Sequence, residues 1–248
     1  MKKSAALLSA LAIVLMPALT ACGGSKTTTL HVFAAASLKE SFTTLGQQFE
    51  KDHPHVKVDF SFGASDVLAS QVDQGAPADV FATASTKTMD LVASKVTGRK
   101  NFATNTMEIA VPAKNPGHIT KLADLTRKGV KLAVCQAEVP CGTVAATVFA
   151  NAKLKVHPVT EEVDVKSVLT KVSLGEVDAG IVYVSDVKTA GDSVKGITIP
   201  NAVNAVTTYP ISVVKDSDHT DLAKEFEALV TGAAGQKVLA ANGFAGPA

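Results

Sequence analysis

Twice in its first eighty residues the chain runs a short apolar strand pattern straight into a serine at the start of a helical one. The first case is His31-Val32-Phe33-Ala34-Ala35-Ala36-Ser37, followed by the amphipathic stretch from Leu38 to Glu50. The second is Val58-Asp59-Phe60-Ser61-Phe62-Gly63-Ala64-Ser65, followed by Asp66 to Gln74. Strands alternating with helices are the signature of an α/β fold. A serine at such a junction stands where an N-cap belongs, and the helix behind it offers unpaired N–H groups and a positive dipole end. Two such junctions, with two further candidates in the second half, point to a device for gripping an anion without a charged side chain.

The same alternation continues along the chain. Strands are expected at Leu30–Ala34, Val56–Phe62, Asp79–Ala82, Thr106–Val111, Lys131–Cys135, Ala179–Ser185 and Tyr209–Lys215, with helices beginning near Leu38, Asp66, Thr86, Thr143, Val165 and Thr220. Helical stripes such as Leu38, Phe42, Leu45, Phe49 and Val165, Val168, Leu169, Val172 read as core. Gly75-Ala76-Pro77 and Asn115-Pro116-Gly117 read as turns. Two extended apolar stretches, Asn105 to Pro112 and Thr207 to Val214, are expected to be the crossings between an outer lobe and a lobe inserted in it.

The N-terminus reads as an export leader over residues 1–21, with Lys2 and Lys3 as its basic start and Ala5 to Leu15 as its apolar segment. Leu19-Thr20-Ala21-Cys22 resembles a bacterial lipobox, which implies cleavage before Cys22 and a lipid on its sulfur; residues 22–29 then form a polar tether. A membrane-spanning anchor is the competing reading, but the apolar run is short and interrupted by Pro17. Without the leader, 22 basic face 23 acidic residues, so no basic footprint for nucleic acid exists. The absence of Trp removes the usual stacking platform as well. Once Cys22 carries lipid, Cys135 and Cys141 remain, and outside the cytoplasm so close a pair reads as a disulfide. The alternative is a reactive thiol, which would make the chain a secreted thiol enzyme.

In the second half, Val139-Pro140-Cys141-Gly142-Thr143 precedes a helical pattern, and its N–H groups from Cys141 to Thr143 are expected to face outward. Asp164 is the expected N-cap of the helix that follows, leaving the Val165 N–H for a ligand. Gly180-Ile181-Val182-Tyr183 reads as a buried strand delivering one phenol. Other chemistries lack their residues. Ser65 has Val67 where a nucleophile elbow needs glycine, no phosphate-binding Gly-x4-Gly-Lys loop occurs, and two tyrosines are too few for a ferric site. His53-Pro54-His55 reads as a surface turn, and no metal ligation by side chains is expected.

In order along the chain, Phe33-Ala34-Ala35-Ala36-Ser37-Leu38, Phe60-Ser61-Phe62-Gly63-Ala64-Ser65, Gly75-Ala76-Pro77-Ala78-Asp79-Val80-Phe81, Val139-Pro140-Cys141-Gly142 and Gly175-Glu176-Val177-Asp178-Ala179-Gly180-Ile181-Val182-Tyr183, with Gly235-Gln236-Lys237-Val238-Leu239 and Gly243-Phe244, resemble the molybdate-binding proteins of ABC importers, the ModA family. The resemblance implies a two-lobed α/β fold of the periplasmic-binding-protein type II, each lobe a sheet flanked by helices. Lobe 1 would comprise residues 30–107 and 209–248, and lobe 2 residues 108–208. It implies a non-enzymatic protein that closes on molybdate or tungstate and needs no cofactor. By motif, Ser37 and Ser65 would bind through hydroxyl and N–H, Cys141 and Val165 through N–H, and Tyr183 through its hydroxyl. The implied partners are an ABC permease and, through it, a cytoplasmic ATPase, with the protein a lipid-anchored monomer outside the cytoplasm. Sulfate on the same scaffold is the alternative ligand.

Overall fold

The computed structural model describes residues 27–247; the expected leader, Cys22 and the first part of the expected tether lie outside that span. Thr28 and Thr29 are not tether, because β1 (Thr28–Ala35) begins there and pairs with Val56 and Lys57. β2 (Val56–Gly63) lies parallel to β1, in a register that joins Thr28 to Val56 and Ala35 to Gly63. Between them runs α1 (Lys39–Asp52), entered through a 3-10 turn at Ala36–Leu38. The helix α2 (Ser65–Asp73) then leads to β3 (Val80–Ala82), which lies on the other side of β1. The strand order of the whole sheet is β2-β1-β3, then residues 206–214 (β9), 96–112 (β4), 179–183 (β7), 132–135 (β5) and 160–162 (β6), with 194–198 (β8) pairing to β4 as well.

After α3 (Thr86–Asp90), the 17-residue β4 (Val96–Pro112) serves both halves of this sheet. Up to Thr106 it pairs antiparallel with β9 (Val206–Val214); from Met107 onward it pairs with β7 (Ala179–Tyr183), and from Glu108 with β8 (Val194–Thr198). β5 (Leu132–Cys135) lies parallel to β7 and to the edge strand β6 (Thr160–Glu162), with α4 (Pro140–Asn151) and α5 (Val165–Ser173) between consecutive strands. The chain closes with α6 (Val184–Ala190) ahead of β8, and α7 (Thr220–Thr231) and α8 (Ala233–Ala241) after β9.

Packing follows the strand alternation. Leu30, Val32 and Ala34 of β1 face a core shared with Phe42, Leu45 and Phe226, while Phe33 faces a second core with Leu68, Val72 and Met89. A separate core around Ile109, Ile181, Val148 and Val168 fills the other half of the sheet. Within the first, Phe42 stands 5.9 Å from both Phe102 and Phe226, a spacing at which aromatic pairs attract beyond their simple burial.

β4 begins ten residues before the expected Thr106, through Thr97, Gly98, Arg99, Lys100 and Asn101, which are exposed and carry no apolar alternation. β6 is the polar triplet Thr160-Glu161-Glu162, and β8 is mostly exposed. The strand expected to reach Ser185 stops at Tyr183, where α6 begins.

Candidate functional site

Because Ala35 is paired with Gly63, the residues two positions beyond each, Ser37 and Ser65, leave the sheet side by side at the carboxyl ends of β1 and β2. This is where open α/β sheets hold ligands. The serines do not cap their helices as expected. Ser37 sits inside the 3-10 turn, and the N-cap of α1 is Leu38, with no side-chain cap bond. Ser65 is the first residue of α2, whose N-cap is Ala64, again uncapped. The hydroxyls bond elsewhere: Ser37 Oγ is 3.0 Å from the Tyr209 hydroxyl, and Ser65 Oγ accepts the Ala84 N–H at 3.1 Å. An oxygen that accepts from the protein keeps its own proton to give away.

Two helix starts from the other half of the sheet face these serines. In α4, Pro140 carries no N–H, and the Thr143 N–H is taken by the Val139 carbonyl at 3.0 Å. The expected trio of outward donors therefore reduces to Cys141 and Gly142, the part of the first turn that a helix cannot satisfy internally. Glycine is required at 142, since a Cβ there would overlap the Gln136 carbonyl oxygen. Cys135 and Cys141 bring their sulfurs into bonding contact, with Cα atoms 5.7 Å apart. In α5, Asp164 caps as expected, its Oδ1 accepting the Ser167 N–H at 2.8 Å. The Val165 N–H is left as an orphan at the helix start.

All five residues, Ser37, Ser65, Cys141, Val165 and Tyr183, are buried and line one cavity of about 20 Å³. Sites for organic ligands are usually of about 300–1,000 Å³, so this one is too small for such a molecule. Asp164 is the one charged residue of the lining, and its carboxylate is turned to the α5 cap. The Tyr183 hydroxyl is buried with no hydrogen-bond partner, which in a native protein asks for an explanation. The Tyr183 and Tyr209 rings stand edge to face at 6.1 Å. Burial pushes the Tyr183 phenol well above its ordinary pKa, and the neighbouring Tyr209 and Asp186 push it further. Burial raises Tyr209 as well, against the opposing pull of its bond to Ser37. Both phenols stay protonated donors near neutral pH.

The five expected residues are among those that line this cavity; Tyr209, which offers no local sign in the sequence, bonds to Ser37 from 172 residues away. His53 Nε2 is 2.7 Å from Glu225, and no cluster of three His, Cys, Asp or Glu suited to an ion occurs among the described residues.

Two groups of helix starts gathered around one small cleft, on halves joined through β4 and β9, define a solute-binding protein of the periplasmic-binding type. Residues 30–245 match the family model of bacterial extracellular solute-binding proteins. Among curated relatives, the molybdate-binding protein ModA of Mycobacterium tuberculosis is 46% identical over 219 residues, covering 87% of this chain and 84% of that protein. Among solved structures, the periplasmic molybdate-binding protein of Azotobacter vinelandii superposes with a TM-score of 0.77 at 20% identity, covering 88% of this chain and all of that one. The sulfate-binding protein SubI of Mycobacterium tuberculosis does so equally, with a TM-score of 0.77 at 20% identity over 88% of this chain and 86% of that one. The chain belongs to the bacterial extracellular solute-binding proteins, within the ModA family. The family is one of transport proteins, not of enzymes.

The serine geometry carries a stability prediction. Ser65→Ala should cost about 1–3 kcal/mol by orphaning the buried Ala84 N–H, although α2 loses no cap. Urea denaturation that finds Ser65→Ala as stable as wild type would contradict it.

Proposed function

We propose that this chain captures molybdate, and tungstate with it, outside the cytoplasm and delivers it to an ABC permease driven by a cytoplasmic ATPase. The observation that carries the reading is the cavity in which Ser37, Ser65, Cys141, Val165 and Tyr183 converge with donors and without an available charge. Ser37 and Ser65 would donate through hydroxyl and N–H, Cys141 and Val165 through N–H, and Tyr183 through its unpartnered hydroxyl. The 46% identical relative is itself a molybdate-binding protein.

Such a cage suits a fully deprotonated tetrahedral dianion. Phosphate near neutral pH retains a proton, which would face a donor and waste it. Sulfate carries the same charge as molybdate and no proton, so size alone separates them. Donors fixed on helix starts fit the larger ion and leave long, weak bonds to the smaller. The fold does not choose between the two anions, since it resembles a molybdate- and a sulfate-binding structure equally.

Capture works through closure of two lobes, residues 30–107 with 209–248 against residues 108–208. The change of partners along β4 between Thr106 and Met107 supports the first boundary, and the pairing of Val206 with Thr106 moves the return forward to Val206. An ion bridging both lobes binds the closed state better and so shifts the population toward it. We also propose that the protein works as a monomer held at the cell membrane by a lipid on Cys22. A Cys135–Cys141 disulfide would steady the loop that presents the Cys141 N–H.

Three experiments test this reading. In competition titrations, molybdate and tungstate should bind tightly, sulfate much more weakly and phosphate negligibly. In the same titrations Tyr183→Phe should lose roughly ten- to a hundredfold in affinity, the worth of a hydrogen bond to a charged group. Sulfate matching molybdate would instead make this a sulfate-binding protein, and unchanged affinity in Tyr183→Phe would move the site. Cys22→Ala should shift the protein out of the membrane fraction; identical fractionation, with no labelled lipid on wild type, would remove the anchor. Thiol titration of the unfolded mature protein should find no free thiol, whereas two reactive thiols would favour the thiol-enzyme alternative.

A further inference from the structure

Among the described residues, the ion pairs fall within one half of the sheet or the other, with a single exception. Glu40 lies in the first turn of α1, three residues past Ser37, and its Oε2 is 2.8 Å from Nζ of Lys166. Lys166 is the second residue of α5, next to Val165. The pair therefore joins the two helix starts that carry proposed ion donors on opposite sides of the cleft.

Lys166 has a second partner on its own side. Asp186, fully buried in the first turn of α6, places Oδ1 3.1 Å from Lys166 Nζ, while its Oδ2 accepts the Tyr183 N–H at 3.1 Å. The Lys166 contact is an ion pair rather than an aligned hydrogen bond, since Asp186 Oδ1 has no hydrogen-bond partner. Thr189 Oγ1 stands at 3.5 Å, completing the surroundings of the ammonium. Burial works to discharge Lys166, but the attraction of Asp186 and Glu40 outweighs it and keeps the ammonium charged. The three groups differ in what opening would do to them. Lys166 and Asp186 belong to the same half and would travel together; Glu40 belongs to the other and would part from them into water.

We propose that Glu40 and Lys166 form a latch across the cleft, which holds the closed form after the ion has entered and so sets how fast it is released. The proposal rests on the binding reading above and adds to it two positioning residues that touch no part of the cage. Asp186 holds the ammonium ready, so closing orders only the Glu40 side chain. A charge already anchored loses less conformational freedom on pairing than two free chains do. Because Glu40 is 38% exposed, the pair is screened by solvent, and its effect is moderate.

The test compares wild type, Glu40→Gln, Lys166→Met and the double variant. Release of bound molybdate is followed after a chase with excess tungstate, and the lobe separation is read from spin labels at Lys51→Cys and Lys155→Cys, both exposed. Glu40→Gln should speed release roughly three- to tenfold, with association unchanged. It should also lengthen the label distance in the ligand-free protein. The double variant should release no faster than the faster single variant, because each residue acts through the other. Lys166→Met strips buried Asp186 of its cation and can unfold the protein; Glu40→Gln, on the surface of α1, decides the matter alone in that case. Release rates and distances unchanged in Glu40→Gln, or effects that simply add in the double variant, would overturn the latch. A wild type that binds neither oxyanion would instead overturn the binding reading, leaving the label distances to judge the latch by themselves.

Discussion

The parallel register between β1 and β2 is the constraint on which the site depends. Ala35 opposite Gly63 is an offset of 28 residues, and the same offset carries Ser37 to Ser65. A slip of one residue would turn Leu30, Val32 and Ala34 away from the core they share with Phe42 and would separate the serines as well. The burial that stabilises the sheet thus also fixes the spacing of two donors. In the other half, β5 and β6 pair Cys135 with Glu162, so α4 and α5 likewise start from neighbouring strand ends. Four helix starts are aimed by two strand registers.

The sequence made the location of the candidate site legible and its wiring much less so. Strand-to-helix junctions are local patterns, so the positions of Ser37, Ser65, Cys141, Val165 and Tyr183 can be read from a few neighbours each. The expectation that both serines cap their helices was the natural local reading, and it was wrong for a non-local reason. Ser37 is engaged by Tyr209 from β9 and Ser65 by Ala84 from beyond β3. Asp164 met its expectation because its partner, Ser167, lies within the same turn. Glu40 and Lys166, 126 residues apart, belong to the illegible class for the same reason as Tyr209. The first half of β4 went unread because its exposed polar residues are held by cross-strand pairing with β9, not by burial of an apolar face.

The serine bonds also bear on the kind of ligand the cleft is built for. If Tyr209 donates to Ser37, the Ser37 proton is free to point into the cavity; the Ala84 N–H leaves Ser65 in the same condition. Each hydroxyl is thereby biased toward donating. Chains of hydrogen bonds polarise one another, so a donor that is itself donated to becomes a stronger one. A cage of this kind neutralises charge by many partial dipoles instead of one cation. The nearby cation, Lys166, is committed to Asp186 and Glu40. That separation of tasks has a physical advantage. A lysine in the cage would attract any anion by its net charge, whereas converging dipoles favour only a ligand whose oxygens all accept and all fall within reach. In the proposed capture, charge would serve the closure of the lobes and selection would be left to geometry.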